Sequence, residues 1–119
     1  MFIKKLQNCK EFIAGDKTIL RELLHLDKDT VKCGYSLAHT IVKSGESSTP
    51  HILKTAGVHY LLEGEGIMYV GGESKEAQMG DMIYILPNAK QSIKNSGKTN
   101  LKFLCIVDPA WRPEDEIVF

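Results

Sequence analysis

The sequence predicts an all-β domain, a sandwich or a barrel. Two observations carry this. Short segments rich in Val, Ile, Leu and Tyr recur along the chain at strand length. Between them stand turn-forming groups: Gly34, Ser44-Gly45, Ser47-Ser48-Thr49-Pro50, Gly64 to Gly66, Gly71-Gly72, Gly80, Pro87-Asn88 and Ser96-Gly97. Many short strands at such spacing pack as a sandwich or close into a barrel. A length of 119 residues corresponds to a single domain, 1–119. Such a chain buries roughly two-thirds of its unfolded surface, enough for a core without staples.

The expected strands are Tyr35 to Val42, Val58 to Leu62, Ile67 to Val70, Met82 to Leu86 and Leu101 to Val107. Gly64-Glu65-Gly66 and Gly71-Gly72 fall where hairpin turns need φ > 0. The stretch from Thr18 to His25 is harder to place. Ile19, Leu20, Leu23 and Leu24 form one helical stripe, and Asp16 is a candidate N-cap. Periodicity alone predicts a helix there, whereas the all-β surroundings predict a strand. Leu101 to Val107 is apolar on both alternating faces apart from Lys102, so it needs cover on both sides. That cover is a second layer of the same chain or a second subunit.

Composition excludes several classes. Hydrophobic residues make up 43% and charged residues 25%, ordinary values for a globular protein. No apolar run approaches the ~20 residues of a membrane-spanning helix. Fifteen Lys and Arg balance fifteen Asp and Glu. Nucleic acid and membrane surfaces are therefore not expected partners, since both reward positive charge. Cys9, Cys33 and Cys105 form no CxxC pair and no disulfide framework. The opening MFIKKLQNCKEF has no long apolar stretch of the signal-peptide kind, and a reducing cytoplasm is the expected compartment.

Two segments are more specific. One is Gly45-ESSTP-His51-I-Leu53-KTA-Gly57-V-His59-YLLE-Gly64-EG; the other is Gly80-DMIYI-Leu86-P-Asn88-AK-Gln91-SIK-Asn95. They resemble the two signature motifs of the cupin superfamily, within about residues 35–107. Landmarks such as YLLEGEG, GDMIYILPNA, LRELLH and DPAWRPEDE are similar to those of small one-domain members. The resemblance implies an antiparallel double-stranded β-helix, the jelly-roll or cupin barrel. It also implies a strand for residues 18–25.

In such barrels an H-x-H pair, a Glu and a second-motif His face the lumen and bind a divalent metal. Here His51 stands at the first histidine position, Leu53 at the second, Gly57 at the Glu position and Gln91 at the second-motif histidine. Asn88 replaces the second motif's glycine, and Asn tolerates the left-handed region next best. Strand side chains two apart share a face, so His59 points inward if position 57 does. His39, in YSLAHTIV, is a further candidate whose facing direction is open.

The expected site is thus a transition metal (Zn, Fe, Ni, Cu or Mn) on His51, His59, Gln91 and His39. An open position and apolar walls (Leu53, Leu61, Tyr69 and Ile93) would admit a small organic molecule. Oxygenase, isomerase and lyase chemistry all remain open. Each residue also has a plain reading: His51 as a loop histidine, His59 as a hydrogen-bonded core residue, Gln91 as a polar lumen residue. The competing functions are a ligand-binding or sensor barrel without metal, and an interaction module with a filled lumen. His25 reads as a solvated strand end, Cys105 as an inert buried thiol and Glu114-Asp115-Glu116 as a solvated tail. Trp111 reads as a cover for a barrel mouth, as packing on a neighbouring subunit or as plain surface packing. The doubly apolar last strand and the resemblance together imply a homodimer.

Overall fold

The computed structural model describes residues 1–119. Eleven strands form: β1 Glu11–Ile13, β2 Ile19–Leu24, β3 Ser36–Val42, β4 His51–Leu53, β5 Ala56–Glu63, β6 Glu65–Val70, β7 Glu73–Gln78, β8 Met82–Ile85, β9 Lys90–Asn95, β10 Leu101–Asp108 and β11 Glu116–Val118. Two single-turn 3₁₀ segments, Leu6–Asn8 and Pro113–Asp115, are the only helical pieces. The larger sheet runs β1-β2-β3-β10-β5-β8 and the smaller β11-β4-β9-β6-β7. Every pairing is antiparallel. The fold is the all-β jelly roll, two sheets facing each other across a shared interior.

The stretch with helical periodicity is strand β2. It pairs with β1 on one side and with β3 on the other, where Leu20 lies opposite Thr40 and Arg21 opposite His39. An isolated eight-residue helix is marginal, because nucleation is costly and few bonds repay it. Two flanking strands satisfy the same backbone groups more completely.

Several strands were not legible from apolar content. In β9 the inward residues are Gln91, Ile93 and Asn95, so two polar side chains interrupt the hydrophobic alternation. Strand β7, ESKEAQ, buries only Ala77. It lies at a sheet edge, where a polar sequence discourages pairing with other chains.

Backbone geometry supports the turn readings. Asn88 has φ of 66°, the left-handed conformation expected of it. Gly64 has φ of 84°, and a Cβ there would lie 2.8 Å from the Asn100 carbonyl oxygen.

Val42, Leu61, Met68, Leu101 and Phe103 form the packed part of the interior, with Ile85 and Ile93. Leu61 belongs to this core rather than to a ligand wall. Tyr69 turns outward and is 39% exposed, so it is no lumen wall either. Its odd position in β6 sets it opposite in face to the buried Met68.

The last residue of the second motif, Asn95, is 1% exposed. Its Nδ2 donates to the carbonyls of Val42 (2.8 Å) and Thr99 (2.7 Å). Its Oδ1 accepts from the Gly97 N–H at 2.9 Å. One side chain thereby ties β9, β3 and the 96–100 turn together.

A lumen with two imidazoles

Part of the space between the sheets stays open. A cavity of about 280 Å³ lies there, and Phe103, Ile85 and Ile93 are shared between it and the core. That is close to the ~300 Å³ at which small-ligand pockets begin.

His51, His59 and Gln91 all line this cavity. His51 is the first residue of β4, and the β4–β9 register sets it opposite Gln91. His59 comes from β5 in the other sheet, two residues after Gly57, and both face the lumen. The inference from strand alternation holds. His39 does not join them. Ala38 and Thr40, its neighbours in β3, line the cavity, so His39 lies on the reverse face of the larger sheet. Burial first, then the charges of Lys102 and Arg21, hold its pKa below the ordinary value.

The cavity also contains residues outside the sequence-derived set: Asp16, Glu22, Lys28, Cys105, Trp111 and Glu116. Glu116 is part of the wall, not of a solvated tail, and its Oε2 accepts from Trp111 Nε1 at 2.7 Å. Trp111 thus closes on the lumen from the C-terminal segment. A single acidic residue near a chain end carries no sequence signal for this role; only the pairing of β11 with β4 brings it in. Cys105 sits opposite His59 in the β5–β10 register. Burial, helped by the Asp16 and Glu116 charges, pushes its thiol up to about 12, so it stays protonated and poorly nucleophilic.

His25 is buried rather than solvated. Its Nδ1 accepts from the Asp27 N–H at 3.1 Å, and its Nε2–H donates to the Trp111 carbonyl at 2.7 Å. This histidine anchors the segment carrying Trp111, so its role is structural.

The two lumen imidazoles differ in state. His51 Nδ1 lies 2.9 Å from the Thr49 carbonyl and donates to it. Its Nε2 therefore carries a free lone pair. His59 Nδ1 is buried with no hydrogen-bond partner. Buried orphan donors are rarer than orphan acceptors, which puts the ring proton on Nε2. Burial, with the nearby His51 adding to it, pulls the pKa of His59 down to about 3. The ring is neutral at pH 7 and lies 4.7 Å, centroid to centroid, from Phe103. One imidazole thus presents an acceptor and the other a donor.

This donor set fits a transition metal poorly. Metal-binding imidazoles hold their second nitrogen on a partner. His51 does so through Thr49; His59 has none. No three His, Cys, Asp or Glu side chains converge on a point that would hold an ion.

Residues 38–107 match the cupin domain family. An uncharacterised protein of Methanocaldococcus jannaschii is 40% identical over 108 residues, covering 89% of this chain and 85% of its own. Among solved structures, a predicted oxalate decarboxylase of Thermotoga maritima superposes with a TM-score of 0.78 at 18% identity, over 91% of this chain and 99% of that one. Pac13 of Streptomyces, a nucleoside dehydratase, gives 0.80 at 17% identity, over 100% of this chain and 91% of that one. At such identities the solved structures establish the fold alone. The matched segment covers more than half of the chain and contains both motifs, and with the archaeal relative it shows that this chain belongs to the cupin family.

Proposed function

We propose that the lumen is a binding site for one small organic molecule, held by His51, His59 and Gln91 without a metal. The observation that carries this is the pair of imidazoles facing one cavity, His51 fixed on the Thr49 carbonyl and His59 with an unpartnered ring nitrogen. His51 Nε2 accepts a hydrogen bond from the ligand and can take a proton from it. His59 cannot hold a second proton near neutrality, so it acts as a donor that orients a carbonyl or hydroxyl oxygen. Phe103, Ile93 and Leu53 exclude water from the rest of the ligand.

Ligand-observed NMR with a library of small polar organics tests the reading. Hits on the wild type should weaken at least roughly ten-fold in His51→Ala and His59→Leu, and stay unchanged in variants of exposed surface residues. Hits that survive both substitutions would place binding outside the lumen.

The metal reading draws on one observation, the free lone pair of His51 Nε2 with Gln91 opposite. An ion held there by His51 and Gln91 would supply a Lewis acid. It predicts that Zn, Fe, Ni, Cu or Mn raises the melting temperature through preferential binding to the folded state. The metal-free reading predicts no rise beyond that of a His51→Ala control.

We further propose that a second copy of the chain covers the outer face of the larger sheet. Tyr60, Met82 and Tyr84 are 44%, 61% and 54% exposed there. Tyr60 lies beside Met82 and Leu104, and Val58 beside Tyr84 and Ile106. Burying such a contiguous apolar face is the expected role of an isologous dimer. Sedimentation at micromolar concentration should show a dimer, and Tyr60→Glu combined with Tyr84→Glu a monomer; a monomeric wild type refutes it.

A further inference from the structure

The geometry points to an amine-bearing ligand, its ammonium seated against Asp16 and Glu116 and its apolar part in the lumen. This rests on the lumen as the ligand site and adds the charge class of the ligand. Four charged side chains reach the cavity: Asp16, Glu22, Glu116 and Lys28. Lys28 is already paired with Glu22 at 2.8 Å. No Lys or Arg pairs with Asp16 or Glu116.

The two carboxylates have atoms to spare. Asp16 Oδ1 accepts from the Thr18 hydroxyl (2.6 Å) and N–H (3.1 Å), which fixes the group. Its Oδ2 lies 3.9 Å from His51 Nδ1, whose proton already goes to Thr49. Glu116 Oε2 accepts from Trp111 Nε1, leaving Oε1. That bond also holds the indole at the lumen.

A second, independent feature points to a ligand in the same cavity. His59 is 7% exposed and lines the lumen, and its ring makes no hydrogen bond within the chain. The field at the site is thus negative with no paired cation to spare, and it repels a carboxylate or phosphate while attracting an ammonium. An anionic ligand would have to bury its charge against two like charges.

Isothermal titration with three isosteric probes tests this: phenethylamine, phenethyl alcohol and phenylacetate. The full-length protein is used, at low and at moderate salt. The amine should bind at least ten-fold more tightly than the acid, with the alcohol between them. Asp16→Asn and Glu116→Gln keep hydrogen-bond acceptors and remove the charges, so each should shrink the amine's advantage over the alcohol and the acid. Added salt should weaken the amine alone. An acid that binds as well as the amine overturns the charge class and leaves the lumen site standing. Unchanged discrimination in both variants overturns the roles of Asp16 and Glu116. If none of the three probes binds, the lumen site and its charge class both fail.

Discussion

Acid should unfold this protein along a slope that His59 dominates and that His59→Leu removes. Burial pulls the His59 pKa down to about 3, against 6.5 when solvated in the unfolded chain. Between those values the unfolded state binds a proton that the folded state refuses. Stability is therefore complete above about pH 6.5 and falls as pH drops through the window towards 3. The slope is about 1.4 kcal/mol per pH unit from this one group. Going from about pH 6.5 to 4.5 should cost on the order of 2–3 kcal/mol. His39, whose pKa is also held down by burial, adds a contribution of the same sign. In His59→Leu the slope should flatten by the His59 share. Stability at pH 7 should hold or rise, because an orphaned buried nitrogen is gone. Urea melts of wild type and variant across pH 4–7.5 measure both quantities. Parallel pH profiles would mean that His59 is solvated or protonated in the folded state.

Asn95→Ala should destabilise the fold by about 3 kcal/mol. The side chain makes three buried or part-buried hydrogen bonds, to Val42 and Thr99 carbonyls and from the Gly97 N–H. Alanine strands all three backbone groups and leaves a cavity besides. Asn95→Asp keeps the size and the acceptor for Gly97. It turns the Nδ2 position into an oxygen facing two carbonyls, so it should be worse at neutral pH than at a pH that protonates it. Chemical denaturation at two pH values separates the cases. If Asn95→Ala costs under about 1 kcal/mol, water replaces the side chain and the tie across β9, β3 and the turn is not what holds the motif.

The two predictions concern motif positions whose meaning the sequence conveyed unequally. His51, His59 and Gln91 were legible because motif spacing and strand alternation act locally. The left-handed Asn88 was legible for the same reason. Both rest on a few consecutive residues and on rules of backbone geometry. The facing of His39 was not legible. Its segment does alternate, with Leu37, His39 and Ile41 on one face and Ser36, Ala38 and Thr40 on the other, but the less apolar face is the one that lines the cavity, so hydrophobicity does not mark the inner side. The role of Glu116 was hidden because β11 reaches the lumen only by pairing with β4, some sixty residues back in the chain. His25 looked solvated beside Asp27 and Asp29, yet its partner is the carbonyl of Trp111.

By itself the sequence determined the all-β class, the family and the inward set of His51, His59 and Gln91. Turn residues, strand content and motif spacing are local properties, and they survive whatever the distant parts of the chain do. Tertiary structure alone decided which charges share the cavity and which partner, if any, each imidazole nitrogen finds. It also settled Ile19–Leu24 as a strand between two neighbours, against the segment's helical periodicity. These depend on desolvation and on hydrogen bonds between segments far apart in sequence, and no local pattern encodes either.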